Sequence, residues 1–264
     1  MSPGGGALTV TGLRELPEVH PGSDLAALIA AALAAMHLAL ESGDILVVAQ
    51  KIVSKAEGRL VDLKGVVPGE RARELAAIVR KDPRLVELIL SECTEVVRAR
   101  PDVLIVRHRL GFVMANAGID RSNVTAGAGA EWVLLLPTDP DGSAEGLRTA
   151  LAARCAVAPG VIISDSFGRP WRRGVVNIAL GAAGIPSLLD RRGERDRAGR
   201  RLEVTQVALG DALAAAAGIV MGEAAEGIPA ALIRGYATPA GAGHAAGVCA
   251  ARALIRPLEE DLFR

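Results

Sequence analysis

The sequence predicts an α+β protein, with a mixed sheet, substantial antiparallel pairing and flanking helices. Two patterns predict this class. Short β-branched runs such as 45–49 and 161–163 alternate with helical stretches such as 25–40 and 207–221. Two further apolar runs, 103–106 and 111–114, sit so close together that they read as an antiparallel pair. The chain has 264 residues, 50% of them apolar and 23% charged, which is a globular composition with ample length for a core.

The elements follow in order. Val10 opens the fold, and Pro17 with Pro21-Gly22 marks a loop. Ser23-Asp24 supplies cap chemistry for a helix expected to run through Leu40. That stretch is very apolar, but at about 16 residues it is short for a membrane span and contains His37. After a turn at 42–44, the run 45–49 reads as a buried strand, followed directly by Gln50 and Lys51 and a dense polar stretch through Arg59. Helices are expected at 70–79 and 84–90, and strands at 103–106, 111–114 and 133–136. Residues 116–123 form a loop, and 138–143 lead into a helix ending near Ala153. The strand 161–163 is expected to carry Ser164, Asp165 and Ser166 at its C-terminal end, with a basic, Gly-bounded loop at 168–174. The charged stretch 191–201 reads as exposed. A helix at 207–221, a loop at 222–229 and a strand at 230–233 complete the pattern. There is no internal repeat and no clear interdomain linker, so the expectation is one domain over 1–264, with two subdomains left open.

Composition narrows the function. Lys plus Arg and Asp plus Glu each total 30, so no global field favours nucleic acid or a membrane surface. Aromatics are 2%, too few for a base-stacking platform. Cys93, Cys155 and Cys249 are far apart and odd in number, which fits neither a disulfide framework nor a CxxC metal site. The N-terminus has no basic segment followed by an apolar one, so no signal peptide is expected and the default location is cytoplasmic. The sequence lacks GxxxxGK[ST], HExxH and GxSxG. Gly241-Ala-Gly243 resembles the start of a dinucleotide loop, but no βαβ unit follows it.

What remains is a set of polar loops. Asp120, and Asp165 beside the hydroxyl of Ser166, suit a hard cation such as Mg²⁺ or Mn²⁺ that takes oxygen ligands and bridges to phosphates. Taken singly, an Asp after a strand is more often a turn former or a helix cap. Lys55 offers a point charge to a phosphate, or is simply solvated. Arg169, Arg172 and Arg173 crowd one segment and suit an anionic substrate, with a solvated surface loop as the plain alternative. The acidic loop from Gly222 to Pro229 either touches a ligand or is a helix-terminating turn. His20, His37, His108 and His244 form no i,i+4 pair and read as structural.

Taken in order, several of these pieces resemble the F420-0:gamma-glutamyl ligase family. They are Leu16-Pro17, Pro21-Gly-Ser-Asp-Leu25, Gly43-Asp-Ile-Leu-Val-Val48, Val53-Ser-Lys-Ala-Glu-Gly-Arg59 and Asn116-Ala-Gly-Ile-Asp-Arg-Ser-Asn123. Leu135-Leu-Pro-Thr-Asp-Pro-Asp-Gly-Ser-Ala144 and Ile162-Ile-Ser-Asp-Ser-Phe-Gly-Arg-Pro-Trp-Arg-Arg-Gly174 follow. Leu202-Glu-Val-Thr205, Met221-Gly-Glu223 and Gly227-Ile-Pro229 close the series.

The resemblance implies an enzyme of that family's fold. It implies GTP-dependent ligation of L-glutamate to the coenzyme F420 precursor F420-0 through an acyl phosphate, with further gamma-linked additions. It also implies Mg²⁺ or Mn²⁺, K⁺ as a further candidate ion, and a homodimer. By matching position, Asp120 and Asp165 look like metal ligands, and Ser166 stands where the family commonly has a threonine that binds a second metal. Asp120, Asp165 and Lys55 are the expected catalytic groups. Pro17, Glu18, Val19, His20, Gln50, Lys51, Lys55 and Asn123 look like nucleotide contacts. So do Gly222, Glu223, Ala224, Ala225, Glu226, Gly227, Ile228 and Pro229, with Ala224 offering main-chain atoms to a metal or phosphate. Two departures stand out. Relatives often have Tyr-Gly-Arg where this chain has Ala198-Gly199-Arg200, within an unusually basic loop, which leaves open an amide ligase with a different acceptor. Some bacterial relatives carry a reductase domain after a similar Leu-Phe ending; this sequence stops at Arg264, so that activity is not expected in it. A non-catalytic nucleotide-binding protein is the remaining alternative.

Overall fold

The computed structural model describes residues 7–121, 131–236 and 249–261. The chain divides into two compact units, one drawing on 1–19, 23–53 and 138–264, the other on 20–22 and 54–137. In chain order the helices are α1 (Leu25–Ala35), α2 (Gln50–Ala56), α3 (Glu70–Val79), α4 (Pro83–Ser91), α5 (Pro140–Cys155) and α6 (Leu209–Met221). The strands are β1 (Thr9–Gly12), β2 (Ile45–Ala49), β3 (Leu60–Asp62), β4 (Cys93–Arg100), β5 (Val103–His108) and β6 (Val113–Ala115). They continue with β7 (Trp132–Leu134), β8 (Gly160–Arg169), β9 (Arg172–Ala183), β10 (Leu188–Asp190), β11 (Gln206–Ala208) and β12 (Ala230–Arg234). The expected α+β class with a mixed sheet is what the structure has.

The first unit is built on a five-stranded sheet in the order β1-β12-β2-β8-β9. Only β2 and β8 run parallel; every other pairing is antiparallel. Residues 45–48 of β2 are buried in succession, as a strand covered on both faces requires. On one face α6 packs Leu213, Ala214, Ala217 and Met221 against Ile45, Val47, Ile162 and Ile233. The helix α5 also packs on β8 and β9, and α1 packs on α5.

Small residues let these layers approach. A Cβ at Gly181 of β9 would lie 2.1 Å from the Pro140 carbonyl oxygen, so only glycine admits the first turn of α5 at that point. The outer edge of β9 is covered by carboxylates from two helix N-termini. Asp211 of α6 accepts from the Ala179 amide at 2.9 Å, and Asp141 of α5 accepts from Ala182 at 2.9 Å and from Ala251 at 2.7 Å. Edge-strand amides that would otherwise recruit another chain are thereby satisfied.

The second unit packs α3 and α4 against β5 and β7. Its strands form a three-stranded sheet, β4-β5-β6, and a pair, β3-β7. Ala72, Ala76 and Val79 recur on one side of α3, and Leu85, Val86 and Ile89 on one side of α4, the spacing of a helix with one apolar face. Asp82 caps α4 by accepting from the Arg84 amide, and Pro83 occupies its first turn.

Several expectations need correction. The first helix stops at Ala35, not Leu40. His37 takes a left-handed φ of 56°, its amide donates to Ala34, and Leu38 donates to Leu33, which is the Schellman pattern of helix termination. Residues 50–56, read as a polar stretch, form α2. Ser164, Asp165 and Ser166 lie inside a ten-residue strand, and 168–174 is the turn region of the β8–β9 hairpin. Strands β3, β4, β9, β10 and β11 were not foreseen, and the last helix begins at Leu209, after β11, rather than at Val207. Gly241-Ala-Gly243 and His244 lie outside the described residues.

Burial pushes the Asp211 carboxyl above its ordinary value, opposed by the Ala179 hydrogen bond. A carboxyl whose folded pKa is raised stabilises fully below its unfolded value, and that contribution is lost as pH rises through the folded value. Ionised Asp211 therefore works against the fold at neutral pH. Asp211→Asn keeps an acceptor for Ala179 without the charge and should unfold at an equal or higher urea concentration than wild type at pH 7. Asp211→Ala orphans the amide and should lose about 1–3 kcal/mol in the same titration.

Candidate active site

The sheet of the first unit collects the expected site segments at one end. Strand β2 stops at Ala49, level with Ser164 of its parallel neighbour β8. Gln50 and Lys51 follow immediately in α2, with Gln50 1% exposed. Strand β12 begins at Ala230 beside Val48, so the preceding loop, Gly222 to Pro229, lies at that same end, and Pro229 accepts from the Ala49 amide at 2.8 Å. Strand β1 also finishes there, with Gly12 beside Ala231 and Leu13 donating to Ala230. The chain continues from it through exposed Pro17 and Glu18 to buried Val19.

Strand β8 runs on past the end of β2. Asp165 is thus the first residue of β8 beyond the β2 ladder, half-buried, with β9 on its other side. Side chains alternate along a strand, so Asp165 and Ser166 leave on opposite faces. Ser166 sits opposite Asn177 of β9, which is 8% exposed. A Cβ on Gly218 of α6 would meet the Asn177 Oδ1 at 2.6 Å, so this amide is packed under the last turns of that helix. Asn177 is a candidate that sequence reading missed, because β9 itself was not foreseen.

The loop after α6 is braced from within. Gly222 and Gly227 take φ of 75° and 67°, conformations open to glycine. Glu226 accepts from the Ala224 amide at 2.8 Å, and this bond holds its carboxyl below the ordinary value. The Ala224 amide is therefore engaged, and the hard-oxygen atom it can offer a cation is its carbonyl. Ile228 packs on Gly12, where a Cβ would come within 2.8 Å of its Cγ2.

The arginines expected at an anionic substrate sit on the β8–β9 hairpin. Arg169 and Arg172 face each other across the turn, and Trp171 takes φ 58° after Pro170, the positive value a type II turn needs at its third residue. Arg169 is half-buried, and its buried Nη1 has no hydrogen-bond partner among the described residues. Arg172 and Arg173 are exposed. In the basic loop 191–201, Arg191 pairs with Glu194, Arg192 pairs with Asp190, and Arg195 donates to the Gly199 carbonyl. Much of its charge is thus spent on holding its own shape.

The second unit carries His20, Lys55 and Asp120. His20 is exposed and Lys55 half-buried. Gly22 donates to Ala56 at 2.8 Å, tying the segment after His20 to the end of α2. Asp120 is held by its backbone in a two-bond bridge with Leu134 of β7, at 3.0 and 2.9 Å. Just before it, Asn116, Ala117 and Gly118 all have positive φ, at 52°, 53° and 68°. For the two non-glycine residues this costs roughly 1–2 kcal/mol each. Ala117 is fully buried and Gly118 lies against Met114 and Leu136, so packing enforces the turn. Asn123 lies outside the described residues.

Among the described residues no group of three or more His, Cys, Asp and Glu side chains could hold a metal. Mg²⁺ is bound through oxygen ligands, often one or two carboxylates with substrate phosphates and water. The carboxylates of Asp165 and Asp120, the Ser166 hydroxyl and the Ala224 carbonyl are all hard-oxygen donors of that kind.

Gly118→Ala would place a Cβ 2.6 Å from the Met114 Cε and 2.9 Å from the Leu136 Cγ at a left-handed φ. It should destabilise the fold by about 1–3 kcal/mol in a denaturant titration.

The sequence matches the profile of the F420-0:gamma-glutamyl ligase family over residues 14–235. It is 49% identical to the coenzyme F420:L-glutamate ligase of Methanopyrus kandleri, across 94% of each chain. It is 46% identical to the protein of that name from Methanothermobacter thermautotrophicus, across 97% of this chain and 99% of the relative. It is 43% identical to the one from Haloarcula marismortui, across 87% and 88%. With a carboxylate at the end of its parallel strand pair, a braced glycine loop beside it and this likeness over most of its length, the chain belongs to the F420-0:gamma-glutamyl ligase family.

Proposed function

We propose that this protein ligates L-glutamate to the coenzyme F420 precursor F420-0, using GTP. The observation that carries the reading is Asp165, set just beyond the end of β2 on the strand β8, with Gln50-Lys51 and the loop Gly222 to Pro229 at the same sheet end. Family membership and the names of the relatives support it.

The reaction divides into two displacements. A carboxylate of the precursor attacks the γ-phosphorus of GTP, a P–O bond forms, and GDP leaves. The α-amine of glutamate then attacks the activated carbonyl, the C–N bond forms, and phosphate and a proton leave. Both steps gather negative charge on phosphoryl oxygens, so positioning and electrostatic stabilisation are what the protein must supply. Bound Mg²⁺ or Mn²⁺ would neutralise that charge and orient the phosphates. In the first unit Asp165 would hold such an ion, with Ser166 and the Ala224 carbonyl serving a second; in the second unit Asp120 is the carboxylate that would serve as a metal ligand. Lys51 and Lys55 offer point charges to the phosphates. The glycines of the 222–229 loop let its backbone come close to the nucleotide. On the hairpin, half-buried Arg169, whose Nη1 has no hydrogen-bond partner among the described residues, is the arginine we favour for an anionic substrate.

Incubation with F420-0, L-glutamate, Mn²⁺ and GTP should yield glutamate adducts by mass spectrometry, with GDP released. A ladder of masses would give the number of additions. Unmodified F420-0 beside an intact GTP pool would reject the assignment. Asp165→Ala should lower kcat by on the order of 10²-fold or more while leaving the circular dichroism spectrum unchanged; near wild-type turnover in that variant would remove Asp165 from the machinery.

A further inference from the structure

The second unit contains a charged node, with His108 buried, Glu92 and Arg59 half-buried and Arg109 exposed, that none of the roles above uses. Glu92, the C-cap of α4, has both carboxylate oxygens engaged. Its Oε1 accepts from Arg59 Nη2 at 3.1 Å. Its Oε2 accepts from Arg109 Nε at 3.1 Å and faces His108 Nε2 at 3.4 Å. His108 is buried, and its Nδ1 accepts from the Leu110 amide at 3.0 Å, so the ring proton belongs on Nε2, toward Glu92. The His108 Nε2 facing it at 3.4 Å, together with the charges of Arg109 and Arg59, holds the Glu92 carboxyl down at about 2 against its burial. The neighbouring guanidiniums thus favour Glu92 as the anion.

Arg59 connects this anchor to two segments of the proposed site. Its amide donates to Ser54 at 2.9 Å, closing the end of the helix that carries Lys55. Its carbonyl accepts from Leu135 at 3.0 Å, and its Nε donates to the Leu136 carbonyl at 2.9 Å. It thus grips the strand segment whose Leu134 holds Asp120 in the two-bond bridge. The side chain of Leu136 in turn packs against Gly118, in the left-handed turn that delivers Asp120. The planar fork reaches a backbone carbonyl and a carboxylate at once, which the single ammonium of a lysine does not reproduce.

We propose that Arg59, anchored by Glu92, is a positioning residue that sets the place of Asp120 relative to Lys55 within this unit. The proposal rests on the metal role of Asp120 given above. A group that orients a metal ligand without touching the metal characteristically changes affinity or activity by about 10–100-fold when altered.

The test uses the full chain and three measurements: Mn²⁺ affinity without nucleotide, by electron paramagnetic resonance; kcat at saturating GTP; and the urea midpoint. Arg59→Lys and Glu92→Gln should each weaken Mn²⁺ binding and lower kcat by about tenfold or more. The double variant should be no worse than the poorer single one, because both act along one path. Arg109→Lys disturbs the same node from the side that does not reach Leu136. It should lower the urea midpoint and leave Mn²⁺ affinity within about twofold of wild type. Asp120→Asn is the reference. If it loses Mn²⁺ affinity while Arg59→Lys and Glu92→Gln keep theirs, the positioning role is wrong and the metal role stands. If all the node variants, Arg109→Lys included, lose affinity in proportion to their midpoints, the node is structural and the proposal falls. If Asp120→Asn keeps wild-type affinity, the metal role fails and the proposal falls with it.

Discussion

The parallel pairing of β2 with β8 is the constraint on which the first unit depends. Every other ladder in that sheet is antiparallel. A parallel neighbour sends both strands out at one end, and β12 and β1, by their own registers, bring their connections to it. Because β2 ends at Ala49 and β8 does not, the next residue of β8 stands beside an open edge while still fixed by β9. A carboxylate at that position is both held and accessible. Had β8 ended with β2, Asp165 would lie on a loop, with less control over its direction.

The second unit uses a different device. Its carboxylate Asp120 is fixed by backbone bonds on one side and by a left-handed turn on the other. That turn is costly for Asn116 and Ala117, and it persists because Ala117 is enclosed and Leu136 lies against Gly118. The packing that enforces the strain is tied through Arg59 to a carboxylate that accepts from Arg59 and Arg109 and faces His108. On the proposed positioning role of Arg59, rigidity at Asp120 draws on a half-buried ion network as well as on apolar packing.

Much of the fold was legible because its local signals agree. At 70–79 the apolar spacing and the acidic first turn indicate one helix, and the structure has α3 at those residues. The pair β5–β6 followed from two apolar runs too close for any other connection. Strand β4 was illegible because Cys93–Arg100 mixes polar and apolar residues and none of it is fully buried, so burial leaves little pattern in it. Strand β9 was hidden for the opposite reason. Its second half is Ala- and Gly-rich because α5 and α6 press on it, and tertiary crowding erased the β-branched signature. The first helix was overextended because His37, not glycine, takes the left-handed terminating position. Of the site, the residue types Asp165, Ser166 and Asp120 were visible as polar punctuation after apolar runs. Asp165 at an open strand edge and the Arg59–Glu92 anchor were not, since both arise from pairings distant in sequence.

The central claim is that the end of the β2–β8 pair is where metal and nucleotide meet the chain. Anomalous diffraction from crystals grown with Mn²⁺ and a non-hydrolysable GTP analogue tests it most directly. The account predicts a manganese peak within bonding distance of the Asp165 carboxylate, with nucleotide phosphate density beside the 222–229 loop. Well-ordered manganese and nucleotide bound elsewhere, with Asp165 touching neither, would contradict it.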